Sequence, residues 1–212
     1  MPDFSYEYQL KTTGFIFGLD EAGRGPWCGP VIASCVCWPN FNIPDEIRKT
    51  VNDSKKLSVK RREILFDLIM ASNAIVGIGQ ASAKEIDEKN ILQATFLAMQ
   101  RALDEVEKKG IKPSAVLIDG NRLPKNWSIP CQAVIQGDSK SLSVAAASIV
   151  AKVTRDRILA DLSRQYPMYG WNKNAGYGTK EHIQALQIYG VTPHHRKSYA
   201  PIAKILNSSG NM

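Results

Sequence analysis

Apolar runs separated by glycine- and proline-rich segments divide this chain into predicted strands and helices. Residues 14–19 and 31–38 are rich in Ile, Val, Phe and Cys, a composition that favours strands. The Gly/Pro-rich stretch between them indicates a hairpin with a functional turn. Three more short apolar runs, at 74–81, 115–118 and 132–135, predict three further strands.

Apolar positions three to four residues apart predict helices at 59–70, 86–109, 142–166 and 180–189. The helix over 86–109 has the most regular spacing and ends on Lys108, Lys109 and Gly110, a cationic last turn followed by a glycine stop. Small residues at 145–148 and 151 would let the next helix approach a sheet closely.

This order of elements predicts an α/β fold with a mixed sheet flanked by helices and a helical C-terminal extension. The chain has 212 residues, 44% of them hydrophobic, which is enough for a substantial core. No internal repeat or long linker interrupts it. We therefore expect a single domain, with a core at about 14–166 and a C-terminal lobe at about 167–206.

Charge and cysteine usage narrow the functional class. The formal charge is +7, and the whole excess lies in residues 139–212, which predicts a basic surface on one side and a polyanionic partner. The four cysteines show no CxxC spacing, as expected in a reducing cytoplasm. The N-terminal sequence MPDFSYEYQL has no signal-peptide pattern and no apolar run is long enough for a membrane span, so we expect a cytoplasmic protein with no membrane partner.

Carboxylates follow three of the predicted strands. Asp20 and Glu21 end the first strand, Asp119 follows the strand at 115–118, and Asp138 follows the strand at 132–135. Because ligands gather where strand ends converge, these residues could form one cluster. Any single Asp at a strand end is more often a helix cap or a turn residue. Asp138 is most open to that interpretation because a helix follows it.

Four close carboxylates repel one another, and divalent cations are the natural compensation. Oxygen ligands without Cys or His suit Mg²⁺ or Mn²⁺ rather than zinc. Two such ions, about 3.5–4 Å apart, would activate a water and stabilise the leaving oxygen of a phosphodiester. The cluster therefore predicts two-metal phosphate chemistry.

Gly23, Arg24 and Gly25 follow the first carboxylate pair. Because glycines have no Cβ atom, the backbone here can approach a ligand closely and bind a hydroxyl group, while Arg24 adds positive charge. The alternative explanation for the glycines is a strained tight turn. The two explanations are compatible. A 2′-hydroxyl distinguishes RNA from DNA.

The spacing of residues matches none of four other functional motifs: GxGxxG, the P-loop, HExxH and GxSxG. His194 and His195 lie in a polar loop, where solvated or phosphate-facing side chains are expected.

Several motifs occur in a fixed order over most of residues 14–202: GLDEAGRGPWCGPV, NDSKKLS, LIDGN, QGDSKSLSVAAASIVAKVTRDR, and NAGYGTKEHIQAL followed by GVTPHHRKSYAPI. In these motifs the chain resembles the ribonuclease HII family. The resemblance implies an RNase H-like fold and Mg²⁺- or Mn²⁺-dependent endonucleolytic cleavage of RNA in RNA–DNA hybrids or at ribonucleotides embedded in duplex DNA. It also implies cleavage on the 5′ side of the ribonucleotide, leaving 3′-hydroxyl and 5′-phosphate ends.

The resemblance assigns roles by position. Asp20, Glu21, Asp119 and Asp138 match the metal-binding carboxylates, with Asp20 expected to bridge both ions. Gly23, Arg24 and Gly25 match the motif that contacts the 2′-hydroxyl, and Tyr177 matches the tyrosine that packs on the sugar and base pair. Candidate phosphate contacts are Lys55, Lys56, Ser143, Ser148 and Lys152, although the lysines could equally belong to a solvated basic face.

Other assignments remain open. Asp156, between Arg155 and Arg157, is expected to form a salt bridge rather than bind metal. The tail KILNSSGNM lacks the glutamine and paired aromatics of sliding-clamp-binding tails, so we expect no clamp recruitment through it. We separately expect a monomer. Two rival hypotheses are a nucleic-acid-binding module that has lost catalysis, which the four carboxylates argue against, and a nuclease or transposase of the same superfold acting on all-DNA duplexes, which Gly23 and Gly25 argue against.

Overall fold

A five-stranded mixed sheet forms the centre of the computed structural model, which describes residues 1–51, 54 and 57–209. The strands are β1 (Phe15–Ala22), β2 (Val31–Cys37), β3 (Ile75–Ala81), β4 (Pro113–Asp119) and β5 (Cys131–Val134). Their order in the sheet is β3-β2-β1-β4-β5. β1 pairs antiparallel with β2 and parallel with β4, so the predicted hairpin and mixed sheet are confirmed.

The described part of the chain contains helices on both sides of the sheet and beyond it. They are α1 (Ser5–Gln9), α2 (Asp45–Arg48), α3 (Val59–Ala71), α4 (Ala83–Lys89), α5 (Ile91–Glu107), α6 (Leu142–Gln165), α7 (Trp171–Asn174), α8 (Lys180–Tyr189) and α9 (Ala200–Ser209). Within these described ranges, no helix combines the length and the apolar character needed to cross a bilayer.

Two apolar layers hold the sheet between its helices. On one face, Phe17 and Leu19 of β1 pack with Met99 and Leu103 of α5. On the other face, the buried side of α6 packs with α3 and with Val36 of β2. Alternate residues of a strand point to opposite faces, so β1, the central strand, contributes to both layers and its position is fixed from both sides.

Two predicted boundaries are wrong for local reasons. The helix predicted over 86–109 is split into α4 and α5 at Asn90, whose φ of 70° cannot continue a right-handed helix. The Asn90 side chain accepts hydrogen bonds from the N–H groups of Leu92 and Gln93 at 3.0 and 3.1 Å, which caps the new helix. The first strand runs to Ala22 rather than to residue 19 because β2 pairs with it as far as that residue.

The predicted close approach of α6 to the sheet occurs at Gly18. A Cβ placed on Gly18 would lie 2.3 Å from the carbonyl carbon of Ser143 and from the amide nitrogen of Val144. Nearby, the Ser34 hydroxyl of β2 donates a hydrogen bond of 2.7 Å to the Ala147 carbonyl oxygen. The backbones of β1 and α6 are thus nearly in contact, which brings the start of α6 under the central strand.

Buried histidines organise the C-terminal helices. Nδ1 of His182 lies 2.9 Å from the Tyr177 carbonyl oxygen, which can only accept, so His182 carries its proton on Nδ1. Its Nε2 therefore accepts from Trp171 Nε1 (3.2 Å) and from His195 Nε2 (3.1 Å). His195 Nδ1 accepts from the Thr192 N–H at 3.0 Å. Both rings are neutral with defined tautomers, so the expectation of a solvated His195 is wrong.

These helices follow the sheet at residues 167–209, as the predicted helical extension requires. The division into a core and a lobe within one domain stays a prediction.

Replacing Gly18 by Ala should destabilise the protein, because the added methyl group would force β1 and α6 apart. We expect a loss of at least about 1–3 kcal/mol in the free energy of unfolding, measured by urea denaturation. Gly110→Ala is the comparison without a clash, since nothing lies within 4 Å of its Cβ position; its cost comes from a φ of 81°, a strain that Gly18 does not carry. A Gly18→Ala variant as stable as the wild type would contradict the close packing.

Acidification should destabilise the histidine network. Burial is the main cause that lowers the pKa of His195 from 6.5 to about 3, with the His182 ring contributing. The unfolded chain therefore binds more protons between these values, and the stability from the neutral ring is complete above pH 6.5 and is lost as the pH falls towards 3.

Urea unfolding between about pH 7.5 and about pH 5.5 tests this, because histidine is the side chain with an ordinary pKa in that range and the chain has only three. As the pH falls over this range, the free energy of unfolding should decrease in the wild type. It should decrease less in His195→Gln. Identical pH slopes in the two proteins would contradict it.

Candidate active site

Asp20 and Glu21 lie near the end of β1, where the strand is still paired with β2. Asp20 is opposite Ser34 and Glu21 is opposite Ala33. The Asp20 side chain is buried, and its Oδ1 accepts a hydrogen bond of 2.6 Å from the Glu21 N–H. Glu21 is the next residue of the strand, so this pair places two carboxylates at the same strand end.

Asp119 and Asp138 reach the same region from β4 and from the segment after β5. Asp119 is the last residue of β4, which is the parallel neighbour of β1. Its Oδ1 accepts a hydrogen bond of 2.7 Å from the Gly137 N–H. Asp138 lies next to that glycine, in a buried 3-10 turn over Gly137–Ser139. One hydrogen bond thus ties the third carboxylate to the segment that carries the fourth.

Several features of its surroundings disfavour the ionised form of Asp20. Burial, which disfavours the ionised form, is the largest cause that raises its pKa well above the ordinary value. Repulsion from Glu21 and Asp119 raises this pKa further, and Asp138 adds a smaller contribution. The other three predicted carboxylates therefore lie close enough to Asp20 to act on it electrostatically.

This donor set suits a hard divalent cation, since all four side chains offer oxygen ligands and a cation would relieve the repulsion around Asp20. Within residues 1–51, 54 and 57–209, however, no three His, Cys, Asp or Glu side chains converge as a ready-made metal site. Glu21 is also engaged by Arg24, whose Nη1 lies 3.3 Å from Glu21 Oε1. Holding a cation would therefore require these side chains to move from the positions that the structure shows.

The residues that follow form a glycine loop, Gly23–Gly25, whose conformation depends on the protein interior. Gly23 has a φ of 100°, which favours glycine, and a Cβ there would lie 2.1 Å from Arg155 Nε. A Cβ on Gly25 would lie 3.3 Å from the Tyr177 ring. The tight-turn explanation therefore holds for Gly23, while Gly25 brings the loop against Tyr177.

Two buried arginines fix this loop and the turn after it. Arg196 donates hydrogen bonds to the carbonyl oxygens of Gly23 (2.5 Å), Arg24 (2.8 Å) and Gly29 (3.1 Å). Arg155 donates to Pro30, Cys28 and Ala175 carbonyl oxygens, each at 3.2 Å. Burial, the largest cause, and the neighbouring Arg196 charge lower the pKa of Arg155 to about 10. In the described ranges, neither guanidinium forms an ion pair with a carboxylate.

Tyr199 completes the support of the loop. Its hydroxyl donates a hydrogen bond of 2.5 Å to the Arg24 carbonyl oxygen and accepts one of 2.9 Å from Arg196 Nη1. The Arg196 backbone also donates to the Trp27 carbonyl oxygen at 2.8 Å. The segment around Arg196 thus holds the glycine loop through both side chains and main chain.

An open cleft of ≈ 670 Å³ joins the carboxylates to the loop. Asp20 and Glu21 lie at its carboxylate end, and Gly23, Arg24, Gly25 and Tyr177 line the rest together with Ser148 and Lys152. Tyr177 is 53% exposed, so its ring is available to a ligand. Lys152 Nζ pairs with Asp156 Oδ1 at 2.7 Å, in line with the salt bridge expected for Asp156.

Other predicted contacts are placed differently. Ser143 is buried beneath β1 against Gly18, where α6 begins, so its position does not support the predicted phosphate contact. Lys55 and Lys56 lie outside the described residues. Arg155 and Arg196 supply part of the basic excess but are buried, so that part does not contribute to the predicted basic surface.

Sequence reasoning missed Arg155, Arg196 and Tyr199 as residues that shape the site. Arg196 follows His194 and His195, and the chain brings it to residues 23–29 from more than 160 positions away. No spacing rule connects such distant segments. A buried guanidinium needs hydrogen-bond acceptors, which a cluster of carbonyl oxygens can supply, but the polar sequence around Arg196 does not show that this residue is buried.

Comparison with known proteins gives a consistent result. A family model described as Ribonuclease HII matches residues 17–202. A protein named Ribonuclease HII from Magnetococcus marinus is 54% identical over 209 residues, which covers 97% of this chain and 95% of that protein.

Solved structures agree with this. The crystal structure of ribonuclease H2 from Pyrococcus horikoshii OT3 has a TM-score of 0.74 at 29% identity, covering 93% of this chain and 100% of that one. The RNase HII chain in a complex with PCNA from Archaeoglobus fulgidus has a TM-score of 0.69 at 26% identity, covering 87% and 95%. The predicted RNase H-like fold is confirmed, and the chain belongs to the ribonuclease HII family of metal-dependent ribonuclease H hydrolases.

Proposed function

We propose that this ribonuclease H cleaves RNA in RNA–DNA hybrids and at ribonucleotides embedded in duplex DNA, on the 5′ side of the ribonucleotide, by hydrolysis with two divalent ions. One observation carries the proposal: Asp20 is buried among Glu21, Asp119 and Asp138 at one end of a cleft whose other wall is the glycine loop. Phosphate chemistry and hydroxyl recognition are thereby placed side by side.

The carboxylates would hold Mg²⁺ or Mn²⁺, with Asp20 shared between two ions and Glu21, Asp119 and Asp138 completing the ligand sets. Such ions supply Lewis-acid stabilisation of the phosphate and a water made more acidic. The protein's own part is to keep these oxygens together against their repulsion. It does so through β1–β4 pairing and the hydrogen bond from Gly137 to Asp119.

Recognition of a 2′-hydroxyl is supported by the orientation of the loop peptides. In a trans peptide the N–H points away from the C=O of the same unit. Arg196 holds the carbonyl oxygens of Gly23 and Arg24, so the N–H groups of Arg24 and Gly25 point away from Arg196. Donors fixed in this way can bind the oxygen of a ribose hydroxyl, which deoxyribose lacks.

Tyr177 would pack on the sugar and base pair beside that hydroxyl. Its ring lies against Gly25 and remains half exposed, while its carbonyl oxygen is held by buried His182. Ser148 and Lys152, on the same wall of the cleft, are proposed phosphate contacts. Lys55 and Lys56 stay predictions from the resemblance.

We also propose a monomeric cytoplasmic enzyme without clamp recruitment through its C-terminal residues. Support for the compartment comes from Cys28, Cys35, Cys37 and Cys131, all of which are free thiols, as in reducing surroundings. The clamp prediction rests on the tail sequence, the last three residues of which lie outside the described ranges.

The proposed reaction can be tested with three duplexes: one with a single embedded ribonucleotide, one full RNA–DNA hybrid and one all-DNA control. Wild type with Mg²⁺ or Mn²⁺ should cut the first two and leave 5′-phosphate ends 5′ of the ribonucleotide. EDTA should abolish cleavage. Asp119→Asn should lower kcat more than about 100-fold, because even indirect partners of metal ligands are worth roughly 10–100-fold.

Asp161→Asn is the matched control, since this exposed aspartate pairs with Arg164 on the far part of α6, and it should retain wild-type activity. Equal cutting of all three duplexes would favour an all-DNA nuclease. Duplex binding without any cutting, in either metal, would favour the non-catalytic binding module.

Weakening the support of the glycine loop should lower discrimination more than catalysis. Tyr199→Phe removes one hydrogen bond to the Arg24 carbonyl oxygen, worth about 1 kcal/mol. We expect roughly a fivefold loss in the ratio of kcat/KM for a ribonucleotide-containing duplex over the all-DNA duplex. Arg196→Lys should retain part of the discrimination and Arg196→Met should lose more of it, with thermal unfolding followed in parallel. Unchanged ratios in folded variants would refute a positioning role.

A further inference from the structure

A second depression, here called the side groove, lies between α5 and the segment that connects β4 to β5. It measures ≈ 610 Å³. Helix α5 contributes Leu92 and Phe96 to it, and the connecting segment contributes Arg122, Lys125 and Trp127. None of the roles proposed above uses this groove.

The side groove is continuous with the carboxylate site. Between the two lies a pocket of ≈ 430 Å³ that contains Glu21, Asp119 and Arg122. This pocket shares Phe96 and Arg122 with the side groove, and it shares Glu21 and Arg24 with the cleft. A chain molecule with a phosphate at the carboxylates therefore has a continuous path from the cleft into the side groove.

Charge in the side groove has one sign. Lys89, Arg122 and Lys125 line it, all three are exposed, and no Asp or Glu is among the described residues of its lining. In the part of the chain that the structure describes, none of the three forms an ion pair. Two cations of α5 and the turn after it do form ion pairs: Arg101 pairs with Glu85 at 2.6 Å and Lys109 with Glu105 at 3.6 Å. The groove thus concentrates positive charge that the protein itself does not neutralise.

Apolar surface accompanies these cations. Phe96 and Trp127 are half-buried, and each packs against the core layer under α5 while lining the groove. Their rings are therefore held by the core. Cations beside fixed aromatic rings are the combination that binds phosphates together with sugars or bases.

We propose that the side groove binds the backbone of a nucleic-acid strand that continues away from the cleavage site. The inference rests on the proposed function, because that function places a phosphodiester at the carboxylates. A nucleic acid is favoured over an acidic protein because the groove opens directly onto those carboxylates, whose neighbourhood a cleaved strand must occupy. On this proposal the enzyme needs duplex on one particular side of the ribonucleotide for full affinity.

The test uses the double variant Lys89→Ala/Lys125→Ala and duplexes with one ribonucleotide and a short or long arm on each side. KM for long-armed duplexes should rise about three- to tenfold, and the slope of log affinity against log salt should shrink by roughly 2, about 0.9 per phosphate contact. Shortening the arm on one side should remove the difference between variant and wild type. The same shortening on the other side should leave the difference intact, which identifies the arm that enters the groove.

Lys108→Ala/Lys112→Ala makes the same change in charge beyond the opposite end of α5 and should behave as wild type. An equal KM rise in both double variants, a rise independent of arm length, or no rise at all would overturn the proposal. The proposal would also be overturned if Lys89→Ala/Lys125→Ala lost binding to polyglutamate but kept its binding to duplex. That result would indicate that the groove binds an acidic protein.

Binding of the same duplexes to Asp119→Asn, with and without the two lysine substitutions, separates this proposal from the proposed function. Arm-dependent loss of binding supports the groove even if wild type cuts nothing. If the wild type cleaves at the ribonucleotide but the lysine substitutions affect binding equally at every arm length, the groove proposal is wrong and the proposed reaction stands.

Discussion

Repulsion between the buried Asp20 and the three carboxylates around it is the constraint on which the rest of the site depends. Ionised carboxylates in a low-dielectric region oppose folding unless something holds them in place. Here the holding structure is the centre of the sheet, with β1 paired on both sides and Asp119 hydrogen-bonded to the Gly137 N–H. A site with concentrated negative charge is thus built on the central strand of the sheet and its parallel neighbour.

Much of this architecture follows from local sequence signals. The apolar runs predicted all five strands, because each strand is short and follows such a run, including β5, which is mostly half-buried and has one β-branched residue. The small residues of α6 predicted its close approach to the sheet, which Gly18 permits on the other side. The carboxylates were also accessible to prediction, since each one follows an apolar run and strand ends meet at sheet edges.

The parts that escaped prediction depend on contacts between distant residues or on single backbone conformations. Asn90 breaks a regular apolar spacing through its positive φ, which a periodicity cannot reveal. His195 looks like a solvated loop residue until the fold places it beside His182. Arg196 carries only a charge in the sequence, whereas in the fold that charge satisfies carbonyl oxygens from residues 23–29. Sequence patterns can identify residues with reactive side chains. The residues that hold those side chains and the glycine loop in position become visible only in the tertiary structure.

The hydrogen bonds from Arg196 to the loop join segments that lie more than 160 residues apart in the sequence. The sheet and its acidic side chains are built from residues before this arginine, whereas the shape of residues 23–29 depends on it. A substitution near Arg196 can therefore alter the loop while it leaves the strands and the carboxylates in place. The two halves of the site are separable in this sense, because mutation can change one without rebuilding the other.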